Sequence, residues 1–116
     1  MSAPIGPYSP IIRAGDLLIV SGQVGLLDGA MVTGGVADET RQCLANLRAL
    51  LESEQSSLDD VVKTTVFLRH MRDFSLMNTV YAEVFGEHRP ARSTVAVVEL
   101  PAVALVEIEA WAHSPL

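Results

Sequence analysis

Apolar residues recur with two different periods along the chain, and this change of period limits the possible folds more than any other feature. Between Val61 and Leu68 β-branched residues dominate, which is typical of a strand, and a further strand is predicted between Leu105 and Ala112. Between Cys43 and Leu51 the apolar residues are spaced by three and four, which is typical of an amphipathic helix. The chain is therefore expected to combine strands and helices within one domain, residues 1–116.

The full pattern predicts the element order β-β-β-α-β-α-β-β. A turn-like stretch at 13–16 joins two short apolar runs, and Asp28-Gly29 marks a second hairpin. Asp38 is a suitable N-cap for the first helix, and Asp73 is a suitable one for the second, which we expect to stop at Gly86. The later predicted strands are 61–68, 94–98 and 105–112.

Two helices can cover only one face of a mixed sheet of about six strands, so we expect the other face to meet a partner. The last strand supports this expectation, because neither of its faces is plainly polar. A face that holds Leu and Trp beside two carboxylates is typical of an oligomer interface or a ligand cleft. Alternation places Val106, Ile108, Ala110 and Ala112 on one side and Leu105, Glu107, Glu109 and Trp111 on the other.

Charge and apolar length exclude several classes of function. The chain of 116 residues has a formal net charge of −6, and its eight Lys and Arg are scattered, so nucleic acid is not an expected partner. No apolar run is long enough to span a bilayer, so no membrane partner is expected. Residues 1–10 lack the character of a signal peptide, and we expect a cytoplasmic protein.

The residues that most often bind metals or nucleotides form no recognisable site. Cys43 is the single cysteine, which excludes an internal disulfide, and its place on an apolar stripe predicts a buried core residue. His70, His88 and His113 share no ligand spacing. The glycines match no phosphate-loop pattern. We therefore expect no metal and no cofactor.

The position of the charged side chain of Arg92 is the most unusual in the sequence. A proline and an alanine lead it directly to the predicted strand that begins at Thr94, so a guanidinium is delivered to the edge of apolar structure. Such a group needs negative charge. Glu107 or Glu109 on the last strand is a candidate structural partner, and a small substrate carboxylate is the alternative.

Four segments follow one another along the chain: IGPYSP, SGQVGL, VVKTTVFL and PARSTVAVVELPAVALVEIEAWA. Together they resemble the reactive-intermediate deaminase family, also called YjgF or RidA, over essentially the full chain. The resemblance implies a chorismate-mutase-like α+β subunit that forms a homotrimer with three clefts between neighbouring subunits. It also implies hydrolysis of 2-imino acids, such as 2-iminobutanoate and 2-iminopropanoate, to 2-keto acids and ammonia.

The resemblance assigns the two central roles to Arg92 and Glu107. Arg92 matches the arginine that grips the substrate carboxylate, and an arginine fork can hold that group bidentately where lysine cannot. Glu107, the first acid of VEIEA, matches the carboxylate near the attacking water and could accept its proton. The carbon of a protonated imine is already electrophilic, so the reaction needs neither a strong acid nor a metal.

Further pocket positions follow from the same motifs. Tyr8, Gly22 and Asn78 match substrate-binding positions of the family. The alternatives are that Tyr8 only packs against a sheet edge and that Asn78 faces solvent. Thr94 stands where many members have a cysteine, which bears on substrate preference, and its hydroxyl could bind substrate. Val98 stands where members of the family usually have a small or basic residue, and we expect this difference to affect only a loop.

Other functions remain open on the sequence. A trimer of the same fold could bind small carboxylic acids without turnover, as a sensor or a chaperone-like protein. The endoribonuclease activity ascribed to this family is opposed by the negative net charge. A chorismate mutase is opposed by the small number of cationic groups for a dianionic substrate. The expected partner is a small 2-imino or 2-keto acid.

Overall fold

The computed structural model describes residues 4–116, and the expectation about a leader segment therefore falls partly on residues that it does not describe. Neither α-helix in this range is long and apolar enough to cross a membrane. In chain order the strands and helices are β1 (Ile11–Ala14), β2 (Leu17–Gln23), β3 (Leu26–Leu27), β4 (Ala30–Met31), α1 (Val36–Ser53), β5 (Val61–Leu68), α2 (Phe74–Phe85), β6 (Ala91–Ala96) and β7 (Val106–His113).

Five strands form one mixed sheet in the order β1-β2-β7-β5-β6. Neighbouring strands are antiparallel except β5 and β6, which are parallel. Strands β3 and β4 pair with each other in a separate two-stranded ladder. The predicted α+β architecture with a mixed sheet is confirmed, and the sheet has five strands where the pattern predicted about six.

The second hairpin leaves the sheet because α1 holds it. Asn46 on α1 donates hydrogen bonds from Nδ2 to the carbonyls of Val24, at 3.1 Å, and of Leu26, at 3.0 Å. The pairing of β2 with β7 already shifts between Val20 and Gln23. The chain therefore turns away from the sheet before β3 begins.

The two helices cover one face of the sheet, as predicted, and β7 shows the difference between the faces. On the open face, Trp111 is 43% exposed and lies in one cross-strand row with Ile19 and Ile12, which is 51% exposed. On the covered face the alternate residues are fully buried. These are Val106, Ile108, Ala110 and Ala112.

Helix α1 begins at Val36, two residues before the predicted cap Asp38. Gly35 is the N-cap, with a φ of 81° that favours glycine, and no side chain caps the helix. Asp38 lies in the first turn instead and accepts a hydrogen bond from Nη1 of Arg41 at 3.0 Å. Cys43 is fully buried, as predicted, and burial raises the pKa of its thiol.

The later elements follow the predicted pattern with one difference that matters for the site. Helix α2 begins after Asp73, although the Asp73 side chain makes no capping hydrogen bond, and it ends at Gly86, where φ is 67°. Strand β6 begins at Ala91 rather than Thr94. Arg92 therefore lies inside a strand, and strand register decides which way it points.

Candidate functional site

Five of the six predicted site residues fall into two groups that line different cavities, and the sixth, Thr94, lines neither of them. Tyr8, Gly22 and Glu107 line one cavity, which we call the carboxylate half-site. Asn78 and Arg92 line another, which we call the guanidinium half-site. The predicted residues are thus brought together only in part within one subunit.

Strand register places the two half-sites on opposite faces of the sheet. Arg92 pairs with Thr64, which is fully buried beneath the helices. Glu107 pairs with Phe67, three residues further along β5 and hence on the open face. Strand β5 lies between β6 and β7. The expectation that a carboxylate of the last strand serves as the structural partner of Arg92 is therefore wrong.

The guanidinium group of Arg92 is held by aromatic rings instead of by a carboxylate. Its Cζ lies 4.8 Å from the ring centroid of Tyr81 and 5.7 Å from that of Phe74. Within residues 4–116 the salt bridges are those of Arg41, so Arg92 has no acidic partner there. A partly buried, oriented cation without a counter-charge is a binding group for an anion.

Sequence reasoning missed the function of these supporting residues. In the sequence, Tyr81 and Phe74 belong to the apolar stripe of the second helix and Thr64 lies in a strand rich in β-branched residues, so none of them stands out as a candidate site residue. The hydroxyl groups of Tyr81 and Thr64 lie 2.7 Å apart in a buried hydrogen bond, which fixes the ring beneath the arginine. The spacing of Phe74, Asn78 and Tyr81 by four and three is the signal that could have grouped them on one helix face.

Two buried polar atoms beside Arg92 have no partner among the described residues. These are Oδ1 of Asn78 and Oγ1 of Thr94. Thr94 follows Arg92 by two residues on β6, so its side chain emerges on the same face. Buried polar atoms are nearly always hydrogen-bonded, so both atoms are available for a hydrogen bond to a bound group or to water.

The carboxylate half-site depends on a very close approach of Gly22 to Glu107. A Cβ atom built on Gly22 would lie 2.5 Å from Oε1 of Glu107 and 2.8 Å from its Cδ. No side chain larger than hydrogen fits there while the carboxylate keeps its position. Gly22 is therefore required by the placement of Glu107 and not by an unusual φ.

The local environment makes Glu107 a weaker acid. Burial raises the pKa of its carboxyl group, and the nearby charge of Glu109 raises it further. A carboxylate with a raised pKa is a better proton acceptor near neutral pH than a fully solvated one.

This environment predicts a specific pH effect of Glu109→Gln. If Glu107 accepts a proton, it must be ionised, so kcat/KM falls as the pH drops through its raised pKa. Removing the charge of Glu109 lowers that pKa, and we expect the acid limb of the pH–rate profile to move to lower pH. Glu52→Gln, which removes an exposed charge on α1, is the matched control and should leave the limb in place. An unchanged limb in Glu109→Gln contradicts this role of Glu107.

Tyr8 reaches the carboxylate half-site from the N-terminal turn, and its side chain is 45% exposed. Asn46 and Pro101 also line this cavity, and sequence reasoning singled out neither. Asn46 could have been noticed as an amide on an otherwise apolar helix face. No group of three or more His, Cys, Asp and Glu side chains within residues 4–116 is placed to hold a metal ion.

Glu39 on α1 stabilises the segment that leads into the carboxylate half-site. It is 5% exposed, and Oε1 accepts a hydrogen bond from the backbone N–H of Leu105 at 2.8 Å. Burial raises the pKa of this carboxyl group, while the Leu105 hydrogen bond opposes the rise. Leu105 leads directly into β7, so Glu39 fixes the start of the strand that carries Glu107.

Comparisons with a family model, with known proteins and with solved structures all point to the same family. The family model described as Endoribonuclease L-PSP matches residues 1–114. A RutC family protein of Pyrococcus horikoshii is 51% identical over 112 residues, which cover 95% of this chain and 89% of that protein. A mouse protein named 2-iminobutanoate/2-iminopropanoate deaminase is 43% identical, with 95% and 83% covered. The structure of Escherichia coli TdcF with bound serine superimposes with a TM-score of 0.90 at 36% identity, covering 95% of this chain and 90% of that chain.

Proposed function

Because the chain belongs to the Endoribonuclease L-PSP family, which includes the RutC proteins and the 2-iminobutanoate/2-iminopropanoate deaminases, we propose that it hydrolyses reactive 2-imino acids to 2-keto acids and ammonia. The observation that carries this proposal is that the guanidinium group of Arg92 is held in place without an acidic partner among residues 4–116. This group is stacked on two rings and has no carboxylate partner in the described part of the chain. A small substrate carboxylate supplies the missing charge.

The complete site forms between two copies of the chain in a homotrimer. One subunit presents the guanidinium half-site on the helix-covered side of its sheet, and its neighbour presents the carboxylate half-site. The open sheet face, with exposed Ile12 and Trp111, supplies apolar area for such a contact. This arrangement explains why no single subunit brings Arg92 and Glu107 together.

The reaction adds water across a C=N bond. Arg92 holds the substrate carboxylate bidentately, so that the imine carbon faces the neighbouring half-site. Glu107 accepts a proton from water as the oxygen attacks that carbon, which gives a tetrahedral carbinolamine. The same carboxyl group returns the proton to nitrogen. As the C–N bond breaks, Glu107 accepts the proton of the carbinolamine hydroxyl, so that the keto group forms, and this proton leaves with ammonia as ammonium. A positioned base contributes roughly 10²- to 10⁴-fold in rate.

The other predicted residues hold the substrate. The orphaned Oδ1 of Asn78 accepts a hydrogen bond from the N–H of the protonated imine, and the Thr94 hydroxyl contacts the carboxylate. The backbone N–H of Gly22 and the hydroxyl of Tyr8 bind the developing oxygen from the other half-site. Tyr8, Gly22 and Asn78 line one of the two cavities, and Thr94 follows Arg92 by two residues on the same strand.

The test is direct measurement of imine hydrolysis. An amino-acid oxidase generates 2-iminopropanoate from alanine or 2-iminobutanoate from 2-aminobutanoate, and 2-keto acid is followed above the spontaneous rate. We expect acceleration proportional to protein concentration. Binding of pyruvate or 2-oxobutanoate without any acceleration would instead support a non-catalytic carboxylate-binding trimer.

A ribonuclease function is less well supported. The net charge of −6 works against binding of a phosphate backbone, and the cationic cavity holds only a small anion. We propose a cytoplasmic location on the basis of the sequence alone.

A further inference from the structure

The guanidinium half-site contains a second cation that the proposed reaction does not use. Arg89 lines the same cavity as Arg92, and no acidic residue is among the side chains that line it. Within residues 4–116, neither arginine takes part in a salt bridge. The cavity therefore holds two positive charges that the fold leaves without a counter-charge, in a chain whose net charge is −6.

The position of Arg89 is fixed by the end of α2. Nη1 of Arg89 donates hydrogen bonds to the carbonyl of Gly86, the C-cap of the helix, and to that of His88 at 3.3 Å. A guanidinium group has five N–H donors, so these bonds leave the rest of the fork free. The Arg89 side chain thus lies against the helix end and lines the cavity, and part of its donor capacity stays open.

The guanidinium half-site carries one more positive charge than the single carboxylate of a simple 2-imino acid can balance. A protonated imine with one carboxylate has no net charge, and Arg92 together with ionised Glu107 balances its two groups. Arg89 is then a surplus positive charge at the same cavity. A second carboxylate on the substrate would neutralise it and could use the free donors of its fork.

From this surplus charge, and resting on the proposed imine hydrolysis, we propose that Arg89 is a specificity-determining residue that selects 2-imino acids with an acidic side chain. The substrate class is the imines of dicarboxylic amino acids, such as 2-iminosuccinate and 2-iminoglutarate. Arg89 and Arg92 line the same open cavity of about 290 Å³, so one small dicarboxylate could contact both guanidinium groups.

The experiment compares two imines on the intact protein. Glutamate oxidase supplies 2-iminoglutarate and an alanine-oxidising enzyme supplies 2-iminopropanoate, with catalase present. We expect kcat/KM to be higher for 2-iminoglutarate than for 2-iminopropanoate. Arg89→Ala should lower the ratio of the two values by about five- to ten-fold, since Arg89 is exposed and its charge is partly screened.

Three comparisons separate this role from a structural one. Arg89→Lys keeps the charge without the fork and should recover part of the ratio. Arg48→Ala removes an exposed positive charge on α1 and should not change the ratio. A melting curve tests the loss of the helix-end hydrogen bonds, which would alter stability and act on both imines alike.

The outcomes distinguish the two proposals. Hydrolysis of 2-iminopropanoate with no preference for 2-iminoglutarate, or a ratio that Arg89→Ala leaves unchanged, overturns the role of Arg89 and keeps the imine hydrolase. Failure to accelerate hydrolysis of either imine overturns the proposed function, and the role of Arg89 falls with it.

Discussion

Arg92→Ala is expected to lower kcat/KM for 2-iminopropanoate by about 10²- to 10³-fold, because the substrate carboxylate loses two charge-assisted hydrogen bonds. The protein should remain folded, because Arg92 forms no salt bridge within residues 4–116 and its guanidinium group packs over the rings of Tyr81 and Phe74. The loss of that stacking costs about 0.5–1 kcal/mol of unfolding free energy. Steady-state rates and a denaturant melt check the two expectations on the same sample.

Arg92→Lys tests whether charge alone is sufficient. Lysine keeps the positive charge but presents a point donor, so we expect it to remain at least about ten-fold below the wild type. Arg48→Ala is the matched control for the removal of a guanidinium group elsewhere on the subunit. Full activity in Arg92→Ala would remove Arg92 from the site, and full activity in Arg92→Lys would show that no fork is needed.

Gly22→Ala is expected to lower kcat/KM by about 10²-fold or more, which is the usual contribution of a positioned base. The added methyl group would occupy the space of the Glu107 carboxylate, 2.5 Å from its Oε1. The end of a glutamate side chain can move away, so the protein should fold while the carboxylate leaves its working position. A thermal melt close to that of the wild type, together with the loss of activity, checks both parts.

A double-mutant cycle isolates the mechanism of Gly22→Ala. In a Glu107→Ala background the methyl group has no carboxylate to displace, so Gly22→Ala should cost little further activity. If the fold-losses in kcat/KM of the two single variants multiply in the double variant, Gly22 affects the reaction independently of Glu107. Retention of full activity in the single variant would show that the close contact does not matter for function.

The faces of the sheet could be predicted from the sequence because alternation is local. The four buried residues of β7 that begin with Val106, and the partly exposed row that contains Glu107 and Trp111, follow directly from the period of two. The start of α1 was predicted less well. Asp38 is a good capping residue, yet a glycine with positive φ takes the cap, and no local preference decides between such neighbours.

The partner of Arg92 could not be predicted from the sequence because it depends on strand order. Strand β5 lies between β6 and β7 and so separates Arg92 from Glu107. Their partners on β5 are an odd number of residues apart, so the two side chains point to opposite faces of the sheet. The close contact between Gly22 and Glu107 joins β2 to β7, which are far apart in sequence. The motifs indicated candidate site residues, whereas the distribution of these residues over two cavities required the fold.

Complementation between two inactive variants tests the cleft between subunits most directly. Arg92→Ala and Glu107→Ala chains are co-expressed in equal amounts, or mixed through unfolding and refolding, and assayed for imine hydrolysis. In the proposed trimer each cleft takes Arg92 from one copy and Glu107 from its neighbour, so random mixing should restore about a quarter of the wild-type activity. Activity that stays at the level of the two separate variants would contradict a site shared between copies.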